Sequence, residues 1–599
     1  MAGKVKIGLE IHIQLQGRKL FCNCPTETSG ETEFSFERKL TATTGESGKF
    51  DPAAVYEKSR SRRFLYRPTD NSCLLEADEE PPHNVNLDAL RKAIAVSIAL
   101  NCKVVDEVAY MRKIVIDGSN TSGFQRTAII GFNGYVDTSK GRVGISSLCL
   151  EEDSARKLSE ENGLVVYSLD RLGVPLMEIA TDPDIIDEDH AVETAELIGK
   201  KVLLAGWARK APDAIRQDVN FSMGYGRVEI KGVPKLSTIR DALSYEAQRQ
   251  AWISELAPLI RKNEWSRIQF KDVSETFKNT KSKMISRSLS EGLKVYGTVL
   301  PGLSGLLKHE PYKVGRELAD VAKLFGSGGI MHSDELPGYG VGPELTGLVN
   351  TLSPQEGDGY TIIVSTPKVI DLIQEAMIQR LRKLAELELS ETRVVSEDGT
   401  THYLRPLPGG ERMYPETDIQ LIPVDRDLLK SARQITPRSE EEMIEGLISD
   451  FGISRQDASV ILSTGRREDL AHYSHILSNS RLASRIILQT IPEIERKIGR
   501  YVSRDELTPI LEESGKRNWS REILETALSM LLVKKMPPAE ILSSEELKPL
   551  GKDELRAIIL NVSRDEEVSE KNVIPKIRSR TRRMFDPTEA IEIAKELRS

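Results

Sequence analysis

The amino-acid sequence predicts a multidomain α+β protein: a region of strands mixed with helices, a compact α+β segment of different composition, and an all-α region that follows. Three observations carry this reading. Up to about residue 275, short runs rich in Val, Ile, Tyr and Phe, bounded by Gly and Asn, are mixed with helical segments. Near 280 the composition shifts to Gly and Pro, as in Gly297-Thr298-Val299-Leu300-Pro301-Gly302 and again from Gly326 to Pro343. After about 428, the segments 439–450, 455–463, 467–478, 482–499, 504–515, 519–532 and 552–561 carry helical spacing, several with Ser, Thr or Asp just ahead. A chain of 599 residues has room for roughly four domains at about 150 residues each.

Residues 4–15 alternate almost strictly. Val5, Ile7, Leu9, Ile11, Ile13 and Leu15 take one parity; Lys4, Lys6, Gly8, Glu10, His12 and Gln14 take the other. In a strand the two parities face opposite ways, so Glu10 and His12 project side by side from one face. Gly8 weakens the strand locally and often marks close approach by another chain or a ligand. Residues 88–100 read as a capped apolar helix and 187–208 as a longer one. Residues 214–223 and 227–231 alternate about the turn Gly224-Tyr225-Gly226, which predicts a hairpin carrying Arg216, Asp218, Asn220, Glu229 and Lys231 on its polar face. Strand 360–365 and helix 367–388 complete a compact unit in the Gly- and Pro-rich segment.

Composition excludes several classes. Lys+Arg is 83 against Asp+Glu 91, a net charge of -8, which argues against a generally basic nucleic-acid coat but leaves room for a local basic patch. Five cysteines in a chain of this length are too few for a disulfide framework, so a reducing cytoplasm is expected. No run approaches 18 apolar residues, so no membrane span is expected. The first residues enter a strand pattern with no signal-peptide character.

The polar faces carry the candidate chemistry. A solvated face would also carry mixed charges, and both readings stand for the first strand and the hairpin. Glu178 lies in the apolar run Val174-Pro175-Leu176-Met177-Glu178-Ile179-Ala180, where a carboxylate must be neutralised, paired or bound to metal. Glu151, Glu152 and Asp153 end the apolar stretch 143–150, either as ligand-facing acids at a strand end or as the cap of a helix starting at 153. If these faces converge, several carboxylates, one imidazole, Arg216 and Lys231 share a site. Oxygen-rich ligation favours Mg²⁺ or Mn²⁺ over zinc, and such a set suits phosphoryl transfer from a nucleotide. The segment Ile116 to Arg126, with Ser119, Ser122, Gly123 and Gln125, is either a phosphate cradle or a plain polar loop. Cys22 and Cys24 lack a second close pair, so buried or free thiols are favoured over a zinc site. The Walker-A loop, the dinucleotide-binding glycine motif and the nucleophile elbow are absent from the sequence.

Together these motifs resemble the B/E subunits of tRNA-dependent amidotransferases. Gly8-Leu9-Glu10-Ile11-His12-Ile13-Gln14-Leu15 is similar to their opening signature, and Leu150-Glu151-Glu152-Asp153 to their second acidic segment. Asp170 to Ile179, Arg216-Gln217-Asp218-Val219-Asn220 and Glu229-Ile230-Lys231 match three more, and Arg412 to Ile419 resembles the closing block. The interruption between the last two motif groups resembles the aspartyl-tRNA-synthetase-type insertion of archaeal-type E members. The resemblance implies a cradle-shaped core at 1–280 plus 403–428, the insertion at 281–402, a helical domain at 429–505 and a tRNA-engaging tail domain at 506–599.

The resemblance also implies a function. A glutaminase partner of the asparaginase-like D type supplies ammonia, which accounts for the lack of a convincing nucleophile here. This chain would phosphorylate the side-chain carboxylate of glutamate on tRNA(Gln), using ATP and Mg²⁺ or Mn²⁺, in an assembly of two D and two E subunits. His12, Glu151 and Glu178 are then the first metal-ligand candidates. Glu10, Asp218 and Glu229 follow as ligands or supporting groups, with Glu10 also a catalytic candidate. Arg216 and Lys231 would stabilise the transferring phosphoryl group. Lys576, Arg578, Arg580, Arg582 and Arg583 would track tRNA phosphates, or form a solvated basic helix face. Two competing readings are a tRNA-binding scaffold subunit with an inactive metal site, and an aspartyl-tRNA-synthetase relative; for the latter no complete class II core is present.

Overall fold

The computed structural model describes residues 5–597 except 29, 31, 33, 61, 162, 212, 310, 311, 438, 439, 518, 545, 546, 549, 566, 567, 570, 571, 582 and 584. The chain divides into two compact units, Met1–Val202 with Trp207–Pro437, and Leu203–Gly206 with Arg438–Ser599.

The first unit is built on an eleven-stranded sheet. Its strands are β1 (Lys6–Gln14), β2 (Lys103–Val104), β3 (Met111–Ile114), β4 (Phe124–Thr138), β5 (Gly141–Glu152), β6 (Pro175–Thr181), β7 (Ile215–Ser222), β8 (Val228–Val233), β9 (Glu391–Val395), β10 (Thr401–Pro406) and β11 (Met413–Pro415). They run in the order β10-β9-β8-β7-β1-β6-β5-β4-β3-β11, with β2 also paired to β4. Every neighbouring pair is antiparallel except β8 and β9. The alternation of β1 explains its central position: Ile7, Leu9, Ile11 and Ile13 are buried on one face, and burying each contributes about 1.5–3 kcal/mol. Helix Leu87–Ala99 begins at Asn86, whose side chain accepts from the backbone N–H groups of Asp88 and Ala89. Its apolar face, including Leu90, Ala93 and Ile94, packs on β4 and β5.

Two local expectations give way to other forces. No helix starts at 153: the chain stays extended into Arg156–Glu161, the edge of a four-stranded sheet with Leu164–Ser168, Arg63–Arg67 and Phe36–Arg38. The Asp153 carboxylate is taken by Gln14 and Arg216 rather than by the N–H groups of a first helical turn. At Gly8 an added Cβ would sit 3.5 Å from the Thr181 carbonyl oxygen, an ordinary contact, so no close approach demands glycine there.

Between β8 and β9 the chain forms helix Leu236–Ile260, then a second four-stranded sheet in the order Lys271–Asp272, Lys294–Leu300, Gly359–Ser365, Met331–His332. Phe277, Ile285, Val295, Leu348 and Ile362 fill its core, and helix Ile370–Glu386 leads back to the large sheet. The expected limits at 281 and 402 differ from this division. Lys271–Asp272 already pairs within the small sheet, and Glu391–Val395 has already returned to the large one.

A buried ion cluster joins these parts. Arg249, Arg380 and Arg393 meet Glu246, Glu317 and Glu391, with every side chain 2 % exposed or less. Glu317 contacts all three guanidiniums: Arg249 at 3.3 Å, Arg393 at 2.8 Å and Arg380 through Nε at 2.9 Å. Glu391 does the same from the returning strand, at 2.8 Å from Arg249, 3.0 Å from Arg380 Nη2 and 2.7 Å from Arg393.

The second unit contains helices from Glu440–Phe451 onward. One hydrophobic cluster runs from Met443 to Leu547 and a separate one from Leu550 to Ala594. The expected division at 505/506 falls inside the first, because Leu507, Ile510 and Leu511 pack in the same cluster as Leu470, Tyr473 and Leu477. The expected helix over 482–499 contains a π-helical turn at Ile486–Thr490, just before Pro492 removes a backbone donor. Among the described residues, no helix is long and apolar enough to cross a membrane.

Candidate functional site

The large sheet gathers the polar residues of several strands on one face. His12 on β1 lies opposite Glu178 on β6 and Arg216 on β7, and Glu10 lies opposite Asp218. Glu178 is opposite Cys149 on β5, two residues before Glu151. Gln125 on β4 is opposite Lys113 on β3. Period-two alternation held in register across neighbouring strands thus assembles one polar patch from distant residues. Glu10 and Asn220, 210 positions apart, bond to each other there.

Two sets of ligating atoms share Glu10. Those of Glu10, His12 and Glu178 lie within 4.8 Å of one another, as do those of Glu10, Asp218 and Glu229. His12 Nε2 is 3.2 Å from Glu178 Oε2. Lys231 Nζ donates to Asp218 Oδ2 at 2.8 Å and pairs with Glu229 Oε1 at 2.5 Å. Asn220 Nδ2 donates to Glu10 Oε1 at 3.0 Å, and Thr392 Oγ1 on β9 donates to Glu229 Oε2 at 3.3 Å. Glu151 stands one step aside: it accepts from Lys113 Nζ at 2.8 Å and Gln125 Nε2 at 3.0 Å, while Lys113 also lies 3.9 Å from Glu178.

The electrostatics separate the carboxylates. Burial opposes ionisation of Glu178, but Lys113 and His12 outweigh it and hold the carboxyl well below its ordinary value. Burial and the adjacent Glu178 push Glu10 the other way. Asp218 and Glu229, despite burial, are kept low by Lys231. Burial favours neutral His12, yet its bond to Glu178 and the field of Asp218 bring it up to about 9. Neighbouring carboxyls with opposed proton affinities are the arrangement that divides acid and base roles.

Arg216 is directed to Asp153: its Nη2 donates to Asp153 Oδ1 at 3.0 Å and its Nη1 to the Asp213 carbonyl at 3.1 Å. Gln14 Nε2 donates to the other Asp153 oxygen at 2.6 Å, and Arg209 Nη1 donates to Gln14 Oε1 at 3.1 Å. In the 116–126 segment, Ser119 Oγ donates to Asp117, Ser122 Oγ to the Phe124 carbonyl, and the Gly123 N–H to the Asn120 carbonyl. Of the four residues expected to hold nucleotide, only Gln125 bonds to a carboxylate of the polar face. A pocket of about 650 Å³ opens beside that face, lined by Met111, Lys113, Ile129, Glu151, Glu178 and Arg412 among others. Pockets of roughly 300–1,000 Å³ are the size that takes a small ligand.

The donor set fits the expected cation: four carboxylates and one imidazole, in two groups that share Glu10, suit Mg²⁺ or Mn²⁺. Sequence patterning does not assign Lys113 or Arg412 to the site, and it leaves Asp153 open to reading as a helix cap. Lys113 sits in a four-residue strand too short to show alternation. The basic cluster lies in the second unit. Helix Val573–Arg580 exposes Arg578 and Arg580, with Lys576 partly buried; Arg583 pairs with Glu554 at 2.8 Å, and Arg582 lies outside the described residues.

Residues 5–430 match the GatB/GatE catalytic domain model. The glutamyl-tRNA(Gln) amidotransferase E subunit of Thermoplasma volcanium is 47 % identical over 593 residues, covering 98 % of this chain and 99 % of that protein. The protein of the same name from Thermoplasma acidophilum is 45 % identical over 99 % of both chains. That of Sulfurisphaera tokodaii is 36 % identical over 99 % of this chain and 98 % of its own. The model match over residues 5–430 and full-length similarity at this level establish that the chain belongs to the GatB/GatE family and groups within it with the E subunits.

Proposed function

We propose that the chain carries out the ATP-dependent step in converting Glu-tRNA(Gln) to Gln-tRNA(Gln). The observation that supports this most is the convergence of Glu10, His12, Glu178, Asp218, Glu229 and Lys231 beside an open pocket. Hydroxide is a poor leaving group, so the glutamate carboxylate attacks the γ-phosphorus of ATP, releasing ADP and forming an acyl phosphate. Ammonia then attacks the acyl carbon, phosphate leaves, and one proton must be removed from nitrogen. Glu10, a carboxylate common to both groups of the site, is the candidate acceptor for that proton. Glu10, His12 and Glu178, with Asp218 and Glu229, would hold Mg²⁺ or Mn²⁺. The cation, when bound, offsets repulsion between the substrate carboxylate and the ATP phosphates. Lys231, Lys113 and Arg216 supply fixed positive charge to the transferring group.

In this reading ammonia comes from an asparaginase-like D subunit in a cytoplasmic assembly of two D and two E subunits. The test is ADP formation from ATP on addition of Glu-tRNA(Gln). Stimulation of ADP release supports catalysis in this chain; its absence in an otherwise tRNA-binding complex favours a scaffold role.

Two further outcomes follow. Asp153→Asn keeps the shape of the group that orients Arg216 but removes its charge. A loss of about 10²-fold in the phosphorylation rate is expected, the scale of a roughly 1 Å misplacement, with substrate KM little changed. An unchanged rate removes Asp153 from the arrangement. Ending the chain after Leu547 leaves the first helical cluster intact and removes Lys576 to Arg583. Affinity for tRNA should fall, and its dependence on salt should become shallower, by roughly 0.9 in log–log slope per lost phosphate contact on a duplex. Equal affinity and slope for the two chains would show that the cluster does not contact RNA.

A further inference from the structure

The two outer strands of the large sheet, β10 and β11, are joined by residues 407–412 alone. So short a link reaches at most about 25 Å. A flat sheet in this strand order would hold the two edges roughly 43 Å apart, at about 4.8 Å per strand step. The sheet must therefore curl until its edges approach. The lining of the pocket of about 650 Å³ places the polar face inside the curl. It includes Lys113 and Glu178 from that face, Arg227 from the start of β8, and Gly409, Gly410 and Arg412 from the link.

The link is tied down. The Gly409 N–H donates to Asp51 Oδ2 at 2.7 Å, and the Glu46 N–H donates to the Met413 carbonyl at 2.9 Å. A Cβ on Gly45 would meet the Glu411 carbonyl oxygen at 1.7 Å, so a side chain at 45 would displace the link. These contacts fix Arg412 at the cavity from one edge. Arg227 reaches it from the other side, two positions before Glu229, where its carbonyl accepts from the Glu391 N–H at 3.2 Å. The two guanidiniums differ from other arginines of this sheet. Arg112 and Arg126 pair with Glu416, and Arg216 pairs with Asp153. Among the described residues, Arg227 and Arg412 form no ion pair and no side-chain hydrogen bond. The acids of the lining are engaged elsewhere or exposed: Glu151 accepts from Lys113, Glu178 bonds to His12, and Glu107 faces solvent. Met111, Ile129 and Met413 add an apolar wall, and Ile129 is 51 % exposed.

We infer that Arg227 and Arg412 are phosphate anchors, which hold a nucleotide inside the curl beside the candidate cation site. The inference rests on the ATP-dependent reading above and specifies where its nucleotide lies. A guanidinium meets phosphate through a planar fork of N–H donors. Both guanidiniums are free to do so without first leaving a carboxylate. The apolar wall suits the face of a base or ribose. Residues 119–123 offer less, because their hydroxyls and the Gly123 N–H are already bonded within that segment. ATP and the 3′-terminal nucleotide of the tRNA both present this chemistry.

The test is direct binding to the full chain, without turnover. Mg²⁺–ATP is titrated by calorimetry, and tRNA(Gln) with and without its 3′-terminal adenosine by filter binding. Arg227→Gln and Arg412→Gln should each weaken one ligand by about 10-fold or more, the scale of a lost charge-assisted contact. Arg227→Lys and Arg412→Lys, which keep charge but lose the fork, should fall between. Loss for ATP, with tripolyphosphate competing for the unaltered chain, assigns the phosphates to ATP. Loss only for tRNA that carries the terminal adenosine assigns them to the RNA end. Arg142→Gln, at an exposed arginine paired with Asp137, should change neither. Unchanged affinity for both ligands in folded variants overturns the inference. So does a loss for tRNA that is the same with and without its terminal adenosine, with ATP unaffected. ADP release on adding Glu-tRNA(Gln) is measured separately. Its absence, with the binding losses observed, refutes catalysis in this chain and leaves the phosphate anchors standing.

Discussion

Glu178→Gln is expected to slow phosphorylation of tRNA-bound glutamate by roughly 10²–10³-fold or more, the scale for removing one electrostatic group from a preorganised site. The substitution keeps the side-chain shape and removes the charge. Glu178 balances His12 at 3.2 Å and Lys113 at 3.9 Å, so the amide leaves both facing a weaker partner. It also takes one oxygen ligand from the set that shares Glu10 and His12. The measurement is ADP release dependent on Glu-tRNA(Gln), alongside glutamine hydrolysis by the proposed D partner, which should persist. Normal amidation by the variant would exclude Glu178 from the machinery.

Glu317→Ala is expected to destabilise the first unit by about 3–5 kcal/mol, the cost of breaking a buried ion pair from one side. Glu317 meets Arg249 and Arg393 through Oε1 and Arg380 through Oε2, at 2 % side-chain exposure. Its loss leaves three buried guanidiniums with Glu246 and Glu391. Thermal or urea denaturation of the full chain checks this; a transition within error of the unaltered protein would show that the cluster relaxes freely. The same cluster sets an acid limit. Glu391, opposed by burial but held by Arg380, Arg249 and Arg393, is brought from 4.5 to about 2. Its lowered proton affinity contributes stability that is full above about pH 4.5 and is lost as pH falls through about 2.

The strand faces are legible in the sequence because alternation is a local property. The parity of Glu10 and His12 in β1, and of Arg216 and Asp218 in β7, needs only period two. Pairing is not local. Glu178 reaches His12 through β1–β6 register, and nothing in either segment encodes that partner. Lys113 is invisible for the same reason: its approach to Glu178 depends on strand pairing across β4 and β5. Asp153 is ambiguous because a local rule, helix capping, competes with a distant one, its bonds to Gln14 and Arg216. At 505/506 the helix spacing reads correctly, but membership of a shared cluster overrides the expected boundary. Cys22 and Cys24 look solitary because only the tertiary fold brings the side chains of Cys73 and Glu76 within 4.8 Å of theirs.

The segment between β8 and β9 leaves and re-enters the large sheet at adjacent, parallel strands. Because the strands are parallel, the exit from β8 and the entry to β9 lie at opposite ends of the pair, so removing the segment would require a crossover of about a dozen residues rather than a short bridge. The buried ion cluster forbids a clean excision. Arg249 stands on the outgoing helix, Glu317 and Arg380 within the segment, and Glu391 and Arg393 on the returning strand. Cutting at the strand ends would remove Glu246, Arg249, Glu317 and Arg380 and leave Glu391 and Arg393 paired only with each other. That pair also lies close to the polar face, because Thr392, between Glu391 and Arg393, bonds to Glu229. A shortened chain would therefore need Glu391 and Arg393 replaced together by apolar residues before its activity could be interpreted.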